Sequence, residues 1–145
     1  MSEIQVIKIT TPEQQAEAFK IRQEVFVEEQ KVSPEDEYDQ YESSSTHFLV
    51  YCEGQPCATA RWRFTEKGIK LERFAVRKAY RGKKAGEAVL KAVLDDIAQD
   101  PQSQGKLRYL HAQVQVVPFY AKQGFVPEGE MFEECAIQHY KMVQK

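Results

Sequence analysis

The alternation of hydrophobic and polar residues predicts several β-strands. Apolar side chains recur at every second position in IQVIKIT (4–10), as expected for a strand with one buried face. THFLVYCEGQPCATARWRF (46–64) contains two such segments joined by a turn at Gly54–Pro56, which predicts a β-hairpin. A turn at Lys67–Gly68 then leads into GIKLERFAV (68–76), the next predicted strand.

A helical spacing of apolar residues predicts helices between these strands. Residues 11–30 form the first, because Thr11 is a suitable N-cap, Pro12 suits the first turn, and apolar residues follow three and four positions apart. SPEDEYDQYE (33–42), opened by Ser33, predicts a second, short helix.

The C-terminal half continues with the longest helix, predicted from about Gly82 to Gln99. LRYLHAQV (107–114) is a predicted strand, and QVVPFYAKQG (115–124) a short helix with Gly124 as its C-cap. FVPEG and CAIQHYKMVQ are predicted to form two closing strands.

The order of these elements predicts the fold class. Hairpins join the middle strands in antiparallel fashion, whereas the strand–loop–helix–strand run over Lys70–Val114 requires a crossover between parallel strands. We therefore expect an α/β protein of the α+β type, with a mixed, mostly antiparallel sheet of about six or seven strands and about four helices. The 145 residues show no repeat or linker, so a single domain over residues 1–145 is expected.

Charge and composition exclude several classes of protein. The formal net charge of −2 argues against a nucleic-acid partner. No apolar run approaches the roughly 18 residues of a membrane span, and MSEIQVIKIT alternates and carries charge, unlike a signal peptide. We expect a cytoplasmic protein with neither a membrane nor a nucleic acid as partner.

The three cysteines, Cys52, Cys57 and Cys135, are an odd number without the spacing of a disulfide framework. Together with His139 they could be combined into a zinc site, but the first pair brackets a hairpin turn and not a zinc knuckle. Reduced, structural cysteines are the preferred interpretation, and no metal is expected.

The loop AYRGKKAG (79–86) is the strongest candidate for chemistry. It precedes the longest predicted helix, where unpaired backbone N–H groups and the helix dipole favour an anion. Gly82 and Gly86 allow the backbone to approach a ligand closely. Five cations lie in or beside the loop: Arg77, Lys78, Arg81, Lys83 and Lys84. A phosphate site and a solvated basic turn both remain compatible with the loop alone.

Three segments in order resemble the GNAT acyltransferase superfamily. ERFAVRKAYRGKKAGEAVLKAVL (72–94) resembles its acetyl-CoA-binding segment, whose loop motif Arg/Gln-x-x-Gly-x-Gly/Ala falls on Arg81, Lys84 and Gly86. VVPFYAKQGF resembles the late helix that ends Tyr-x-x-x-Gly-Phe, and IRQEVFVEEQKVSPEDEYD the signature of a small bacterial branch, the YjcF-like proteins. Lys84 departs from the family's middle glycine: either the loop adjusts at a small cost, or the ammonium adds attraction for phosphate.

The resemblance implies transfer of an acetyl group from acetyl-CoA to a primary amine by direct attack in a ternary complex. The acceptor would be a small-molecule or protein amine, no metal would be used, and a homodimer is a compatible assembly. The pantetheine arm would pair with the strand backbone at Phe74, Ala75 and Val76, where an N–H would polarise the thioester carbonyl. The pyrophosphate would bind the loop residues Arg81, Gly82, Lys83, Lys84, Ala85 and Gly86.

Tyr120 is the first catalytic candidate, because the family's tyrosine at this place hydrogen-bonds the departing sulfur. Phenols have a pKa of about 10 and thiols of about 8.5, so full proton transfer would be uphill by about 2 kcal/mol. We expect Tyr120 to act chiefly as a hydrogen-bond donor to the developing thiolate. The alternative is an ordinary aromatic core residue.

Glu72 is the candidate general base for the acceptor ammonium. By the strand period of two it should share a face with Phe74 and Val76, the stretch assigned to pantetheine. The alternative is a structural carboxylate paired with Arg61 or Arg63 across the hairpin.

Two further features carry alternatives. An acidic run could draw cationic amines to the acceptor side, although a solvated face is the ordinary interpretation; it comprises Glu35, Asp36, Glu37, Asp39 and Glu42. His47 could relay protons or be a structural histidine.

At the level of function, a non-catalytic acyl-CoA-binding module is the alternative to an enzyme, and a nucleic-acid-binding domain is remote.

Overall fold

A computed structural model describes residues 3–144; Met1, Ser2 and Lys145 of the predicted domain lie outside them. Eight strands are present: β1 Ile4–Lys8, β2 Thr46–Cys52, β3 Gln55–Thr65, β4 Gly68–Val76, β5 Arg108–Gln113, β6 Phe125–Pro127, β7 Phe132–Glu134 and β8 Ile137–Gln144. The α-helices are α1 Pro12–Arg22, α2 Pro34–Glu37, α3 Ala85–Gln99 and α4 Val117–Ala121.

The strands form one mixed sheet in the order β1–β2–β3–β4–β5–β8–β6, with β7 also paired to β8. The pair β4–β5 is parallel, and the other pairs are antiparallel. The predicted fold class is therefore confirmed. The sheet has one strand more than expected, because the three residues of β7 are too few to show a pattern. No helix in the described part of the chain is long and apolar enough to cross a membrane.

The sheet separates two apolar layers. On one side, which we call the α3 face, strand residues such as Trp62 and Leu71 pack with the buried stripe of α3. On the other side, the α1 face, Ala18 and Ile21 of α1 pack on Leu49 and other strand residues. The two layers follow from the alternation of side chains along each strand.

Helix α1 begins as the sequence predicts. Thr11 accepts a hydrogen bond from the backbone N–H of Gln14, and the Gln14 side chain accepts one from the N–H of Thr11, which completes a capping box. After Arg22 the helix widens into a π-helical segment, Gln23–Glu29. The predicted helix over residues 11–30 is thus present, but its second half has a different winding.

Strands β4 and β5 pair only where Ile69–Leu71 lie beside Arg108–Leu110, and then separate. Between two of its pairings with β3, strand β4 contains one extra residue, and Arg73 there has a φ of +59°. This is a β-bulge, which bends a strand and increases its twist. We call the resulting opening between residues 72–76 of β4 and residues 111–113 of β5 the wedge.

Candidate active site

Three separate segments meet on the α3 face of the wedge. The ring of Tyr120 in α4 lies edge-on to the ring of Phe74 in β4, with 5.9 Å between centroids. A Cβ added to Gly86 in α3 would lie 3.4 Å from the Phe119 ring and 3.6 Å from Val76. The structure thus brings the loop before α3, strand β4 and helix α4 together at the wedge.

The N-terminus of α3 offers unpaired backbone donors. The first helical hydrogen bond runs from the N–H of Ala88 to the carbonyl of Lys84, at 3.0 Å. The N–H groups of Ala85, Gly86 and Glu87 therefore have no partner within the helix. Together with the dipole of this 15-residue helix, they form a favourable site for a phosphate.

Lys84 occupies a left-handed backbone conformation, with φ +70°. Gly82 is also left-handed, at φ +82°, so the helix begins at Ala85 and the predicted start at about Gly82 is wrong. The position of the family's middle glycine therefore does require positive φ in this chain. A lysine there costs about 1–2 kcal/mol relative to an ordinary conformation, and its exposed side chain adds a cation beside the helix N-terminus.

Arg81 is engaged by another part of the protein. Its guanidinium donates two hydrogen bonds of 2.7 Å to Glu29, and its Nε donates to the carbonyl of Val76 at 2.9 Å. The hydrogen bond from Arg81 lowers the pKa of Glu29, which keeps the pair charged. The guanidinium thus ties the loop to the π-helical segment, and Lys83 and Lys84 remain as its exposed cations.

Tyr120 lies beside Phe74 at the wedge, and its hydroxyl is neutral. Its ring is enclosed by Phe74, Phe119 and Phe125, and burial alone raises its pKa. Within residues 3–144, the only side-chain polar atom that is both buried and without a hydrogen bond is Nε2 of Gln15. The Tyr120 hydroxyl has no hydrogen-bond partner in this part of the chain, so it is free to donate to a ligand, although only 7% of the residue is exposed.

Glu72 lies in an ion-paired environment, which fits the alternative interpretation of a structural carboxylate. Its carboxylate accepts hydrogen bonds from Arg61 at 2.7 Å and Arg63 at 2.9 Å, and Lys70 lies 3.3 Å away. Burial opposes ionisation, but the charges of Arg61, Lys70 and Arg63 lower the pKa of Glu72 to about 2. A carboxylate with so low a pKa is a weak base, so this environment favours a structural role.

The bulge explains why the face of Glu72 was predicted wrongly. Glu72 is paired with Arg61 of β3, on the α1 face, whereas Phe74 and Val76 pack into the α3 face. The extra residue, Arg73, interrupts the period of two on which the prediction relied. Glu72 therefore does not share a face with the residues assigned to pantetheine.

Three carboxylates of the acidic run are ion-paired with buried arginines. Glu37 accepts from Nε of Arg22 at 2.6 Å, Asp39 accepts from Arg61 at 2.7 Å, and Glu42 bridges both arginines at 2.8–2.9 Å. Both guanidinium groups are buried, at 1% and 0% exposure. The interpretation of a solvated face is wrong for these three carboxylates. An arginine on the apolar stripe of α1 was the signal that buried partners exist.

The rest of the run, Glu35 and Asp36, is exposed, as an ordinary solvated face would be. His47 is buried, and its Nε2 lies 2.7 Å from the backbone carbonyl of Glu42. Burial lowers the pKa of His47, so it stays neutral over more of the pH range. These contacts favour a structural role for His47 over a role in proton relay.

The cysteines are free thiols. Cys52 and Cys57 are buried, with their sulfurs 2.8 Å apart, and Cys135 is exposed. Burial raises the pKa of Cys57 and of Cys135, which leaves little thiolate for nucleophilic attack. Among the described residues, no three His, Cys, Asp or Glu side chains are grouped to hold a metal ion.

A polar cluster on the α1 face was missed from the sequence. Nδ1 of His111 lies 3.1 Å from Glu134, and Nε2 of His139 lies 3.9 Å from the same carboxylate. The ring of Phe132 packs against both imidazoles, at 5.1 and 5.8 Å. The three polar residues lie on β5, β7 and β8, so only the sheet pairing brings them together.

Comparison with known proteins extends these observations. Residues 8–145 match the family model described as Acetyltransferase (GNAT) domain. The Bacillus subtilis (strain 168) protein named uncharacterized N-acetyltransferase YjcF is 40% identical over 133 residues, 91% of this chain and 93% of that protein. The structure of Escherichia coli ElaA has a TM-score of 0.83 at 27% identity over 100% of both chains. An acyl-CoA N-acyltransferase from Pseudomonas aeruginosa has a TM-score of 0.82 at 25% identity, also over 100% of both chains.

Proposed function

The chain belongs to the GNAT acetyltransferase family, in its YjcF-like branch, and from that premise we propose that it transfers an acetyl group from acetyl-CoA to a primary amine. Family membership supports an acyl-transfer activity; the acetyl donor, the amine acceptor and direct attack in a ternary complex are the proposal. The observation that carries it is the meeting of the α3 N-terminus, strand β4 and Tyr120 at one wedge.

Acetyl-CoA would bind on the α3 face of the wedge. Its pyrophosphate would accept hydrogen bonds from the free N–H groups of Ala85, Gly86 and Glu87, with Lys83 and Lys84 nearby. Gly86 has no side chain to fill this space, and a Cβ there would already contact Phe119. Arg81 would assist only as far as its ion pair with Glu29 allows.

The pantetheine arm would extend along β4. Beyond Leu71 this strand has no partner in β5, so the backbone groups of Phe74, Ala75 and Val76 on that edge are available to an added extended chain. A backbone N–H in this segment would polarise the thioester carbonyl and hold the oxyanion. The neutral Tyr120 hydroxyl would donate to the sulfur as the C–S bond breaks.

Direct attack by the amine is favoured over an acyl-cysteine intermediate. Cys52 and Cys57 are buried, and the raised pKa of Cys57 and Cys135 disfavours a nucleophilic thiolate. The reaction therefore requires the acceptor and acetyl-CoA at the wedge together.

The test is release of free thiol from acetyl-CoA in the presence of a panel of primary amines, with acetyl-CoA binding measured by calorimetry on the same protein. We expect amine-dependent thiol release and acetylation of at least one amine. Binding of acetyl-CoA without turnover on any amine would instead support the acyl-CoA-binding module. Absence of binding would reject both.

A further inference from the structure

The cluster of His111, Glu134 and His139 has no part in the steps above. His111 is the first residue of β5 beyond Leu110, where the pairing with Leu71 of β4 ends. It therefore lies at the point where the wedge opens. We propose that His111 is the general base that takes the proton from the acceptor ammonium and that Glu134 positions its imidazole; this inference rests on the proposed acetyl transfer.

His111 faces the side of the sheet opposite to the cofactor elements. Its neighbours Leu110 and Ala112 pack into the α3 face, so the alternation of β5 directs His111 and Gln113 to the α1 face. The Gln113 side chain confirms this, since it donates a 2.7 Å hydrogen bond to Gln30 at the end of the π-helical segment. An acceptor would thus approach the wedge from the α1 face while acetyl-CoA occupies the α3 face.

The contact with Glu134 determines which ring nitrogen carries the proton. The hydrogen bond from His111 lowers the pKa of Glu134, so this residue is an ionised carboxylate and can only accept. Nδ1 of His111 must then be the donor, and in the neutral ring the lone pair is on Nε2. The same arrangement orients the histidine in serine hydrolases.

Nε2 of His111 is free to act. It has no hydrogen-bond partner among residues 3–144, and in that part of the chain only Nε2 of Gln15 is both buried and unpaired. Nε2 of His111 therefore reaches solvent, and the side chain as a whole is 25% exposed. An oriented, accessible lone pair is what a base needs.

The other candidate bases near the wedge are less suitable. His139 lies with Nδ1 2.7 Å from the carbonyl of Ile137, and its ring is stacked on Phe132 with only 8% of the side chain exposed. Glu72 and Glu37 are held by arginines. Among these groups, His111 combines exposure with a positioning partner.

The proposed step is balanced in atoms and charge. Nε2 of His111 takes one proton from R–NH3+ and later passes it to solvent. The amine nitrogen then forms the C–N bond to the thioester carbonyl carbon, the C–S bond breaks, and the nitrogen loses its second proton as the CoA sulfur gains one. The net reaction gives the acetylated amine, CoA thiol and one released proton.

The charged and titratable groups around His111 come from every strand packed against it. They are Glu134 on β7, His139 and Lys141 on β8, Tyr109 on β5 and Lys70 on β4. Glu134 touches the ring directly, and it is the contact that the test must change.

The first arm of the test measures thiol release with an amine that the native protein acetylates, from pH 5 to 9, together with acetyl-CoA affinity. We expect His111→Gln to lower kcat/KM by about 10²–10⁴-fold at neutral pH, with unchanged acetyl-CoA affinity and melting temperature. The decrease in kcat/KM caused by His111→Gln should become smaller as pH rises, because more of the amine is then already uncharged and needs no base. Added imidazole should partly restore His111→Gly.

The second arm tests Glu134 through the tautomer of His111. ¹⁵N NMR of the native protein should show the His111 proton on Nδ1, and Glu134→Gln should reduce this preference and lower kcat/KM by about tenfold. Glu133→Gln is the matched control, since its exposed side chain lies on the same strand. A merely structural Glu134 would change stability and leave the tautomer and pH profile in place.

Failure of this inference and failure of the proposed function give different results. If the native protein acetylates an amine and His111→Gln retains kcat/KM within about twofold, His111 is not the base. A native His111 protonated on Nε2 would equally overturn the assignment. If the native protein does not bind acetyl-CoA, the proposed function itself fails.

Discussion

At the scale of single residues, the local environment distinguishes Tyr120 from Glu72, the two catalytic candidates that the sequence indicated. Tyr120 and Glu72 are both buried, but Tyr120 is surrounded by aromatic rings and Glu72 by cations. The first environment keeps a hydroxyl neutral and able to donate, and the second keeps a carboxylate charged and weakly basic. The residue type alone carries neither property.

Tyr120→Phe removes the hydroxyl and keeps the ring packing. We expect kcat to fall about 10–100-fold, since one charge-assisted hydrogen bond contributes about 1.5–3 kcal/mol, while acetyl-CoA affinity and melting temperature stay unchanged. Kinetics and thermal unfolding on the same preparation check this. Tyr51→Phe, in the α1-face layer, is the control and should leave kcat unaltered. An unaltered kcat in Tyr120→Phe would remove this residue from the mechanism.

Glu72→Gln should cost stability and leave acetylation largely intact. The pKa of Glu72 is about 2 in the folded protein against an ordinary 4.5, so its contribution is complete above pH 4.5 and is lost as pH falls towards 2. We expect the free energy of unfolding of the variant to be about 3 kcal/mol lower than that of the native protein at pH 7. This difference in unfolding free energy should be smaller at pH 3. Urea unfolding at both pH values measures this.

Glu66→Gln, on the exposed turn of the same hairpin region, is the control for Glu72→Gln and should change stability little. A loss of kcat by several orders of magnitude in Glu72→Gln, with stability retained, would restore Glu72 as the base.

At the scale of elements, two left-handed residues shape the site. Arg73 produces the bulge in β4, and Lys84 ends the loop before α3. Neither is a glycine, so neither position is marked in the sequence as requiring positive φ. The face of Glu72 and the first residue of α3 were both predicted wrongly for this reason, although the strand and the helix were predicted correctly.

Lys84→Gly tests the strain at the start of α3. Relief of the left-handed conformation, about 1–2 kcal/mol, should exceed the greater unfolded-chain entropy of glycine, about 0.4–1 kcal/mol. We expect a melting temperature higher by about 1–4 °C. Lys83→Gly is the matched control: it removes the same charge at a residue without positive φ and should lower stability. Equal effects of the two changes would contradict strain at Lys84.

At the scale of the whole molecule, the wedge separates the two proposed substrates by the thickness of the sheet. The parallel pairing of β4 and β5 ends after three residue pairs. Beyond that point, different side chains line the wedge on the α3 face and on the α1 face of the sheet. Phe74 and Tyr120 lie on the α3 face, and His111 lies on the α1 face. This arrangement supports the proposed ternary complex, since the two proposed substrates would not need to share a route to the wedge.

Binding of acetyl-CoA should stabilise the whole fold. At a hundred times Kd the gain is about 2.7 kcal/mol, which corresponds to a melting temperature about 5–10 °C higher. Pantetheine, which lacks the phosphates, should give a much smaller shift, and added salt should weaken the effect of acetyl-CoA. Differential scanning fluorimetry against ligand concentration measures this.

Lys83→Glu should reduce the acetyl-CoA shift, while Lys91→Glu, the same charge change on the exposed side of α3, should leave most of it. Equal shifts in both variants, or equal shifts with acetyl-CoA and pantetheine, would contradict phosphate binding at the loop.

The sequence by itself determined the succession of strands and helices, the crossover over Lys70–Val114 and the motifs of the family, because these depend on local periodicity, capping and turn residues. It also indicated Tyr120 and the loop before α3 as candidates for the site. Tertiary structure alone decided which side chains share a face beyond Arg73, and that the buried Arg22 and Arg61 pair with Glu37, Asp39 and Glu42. It alone placed His111 beside Glu134, since long-range strand pairing joins residues that no local spacing relates.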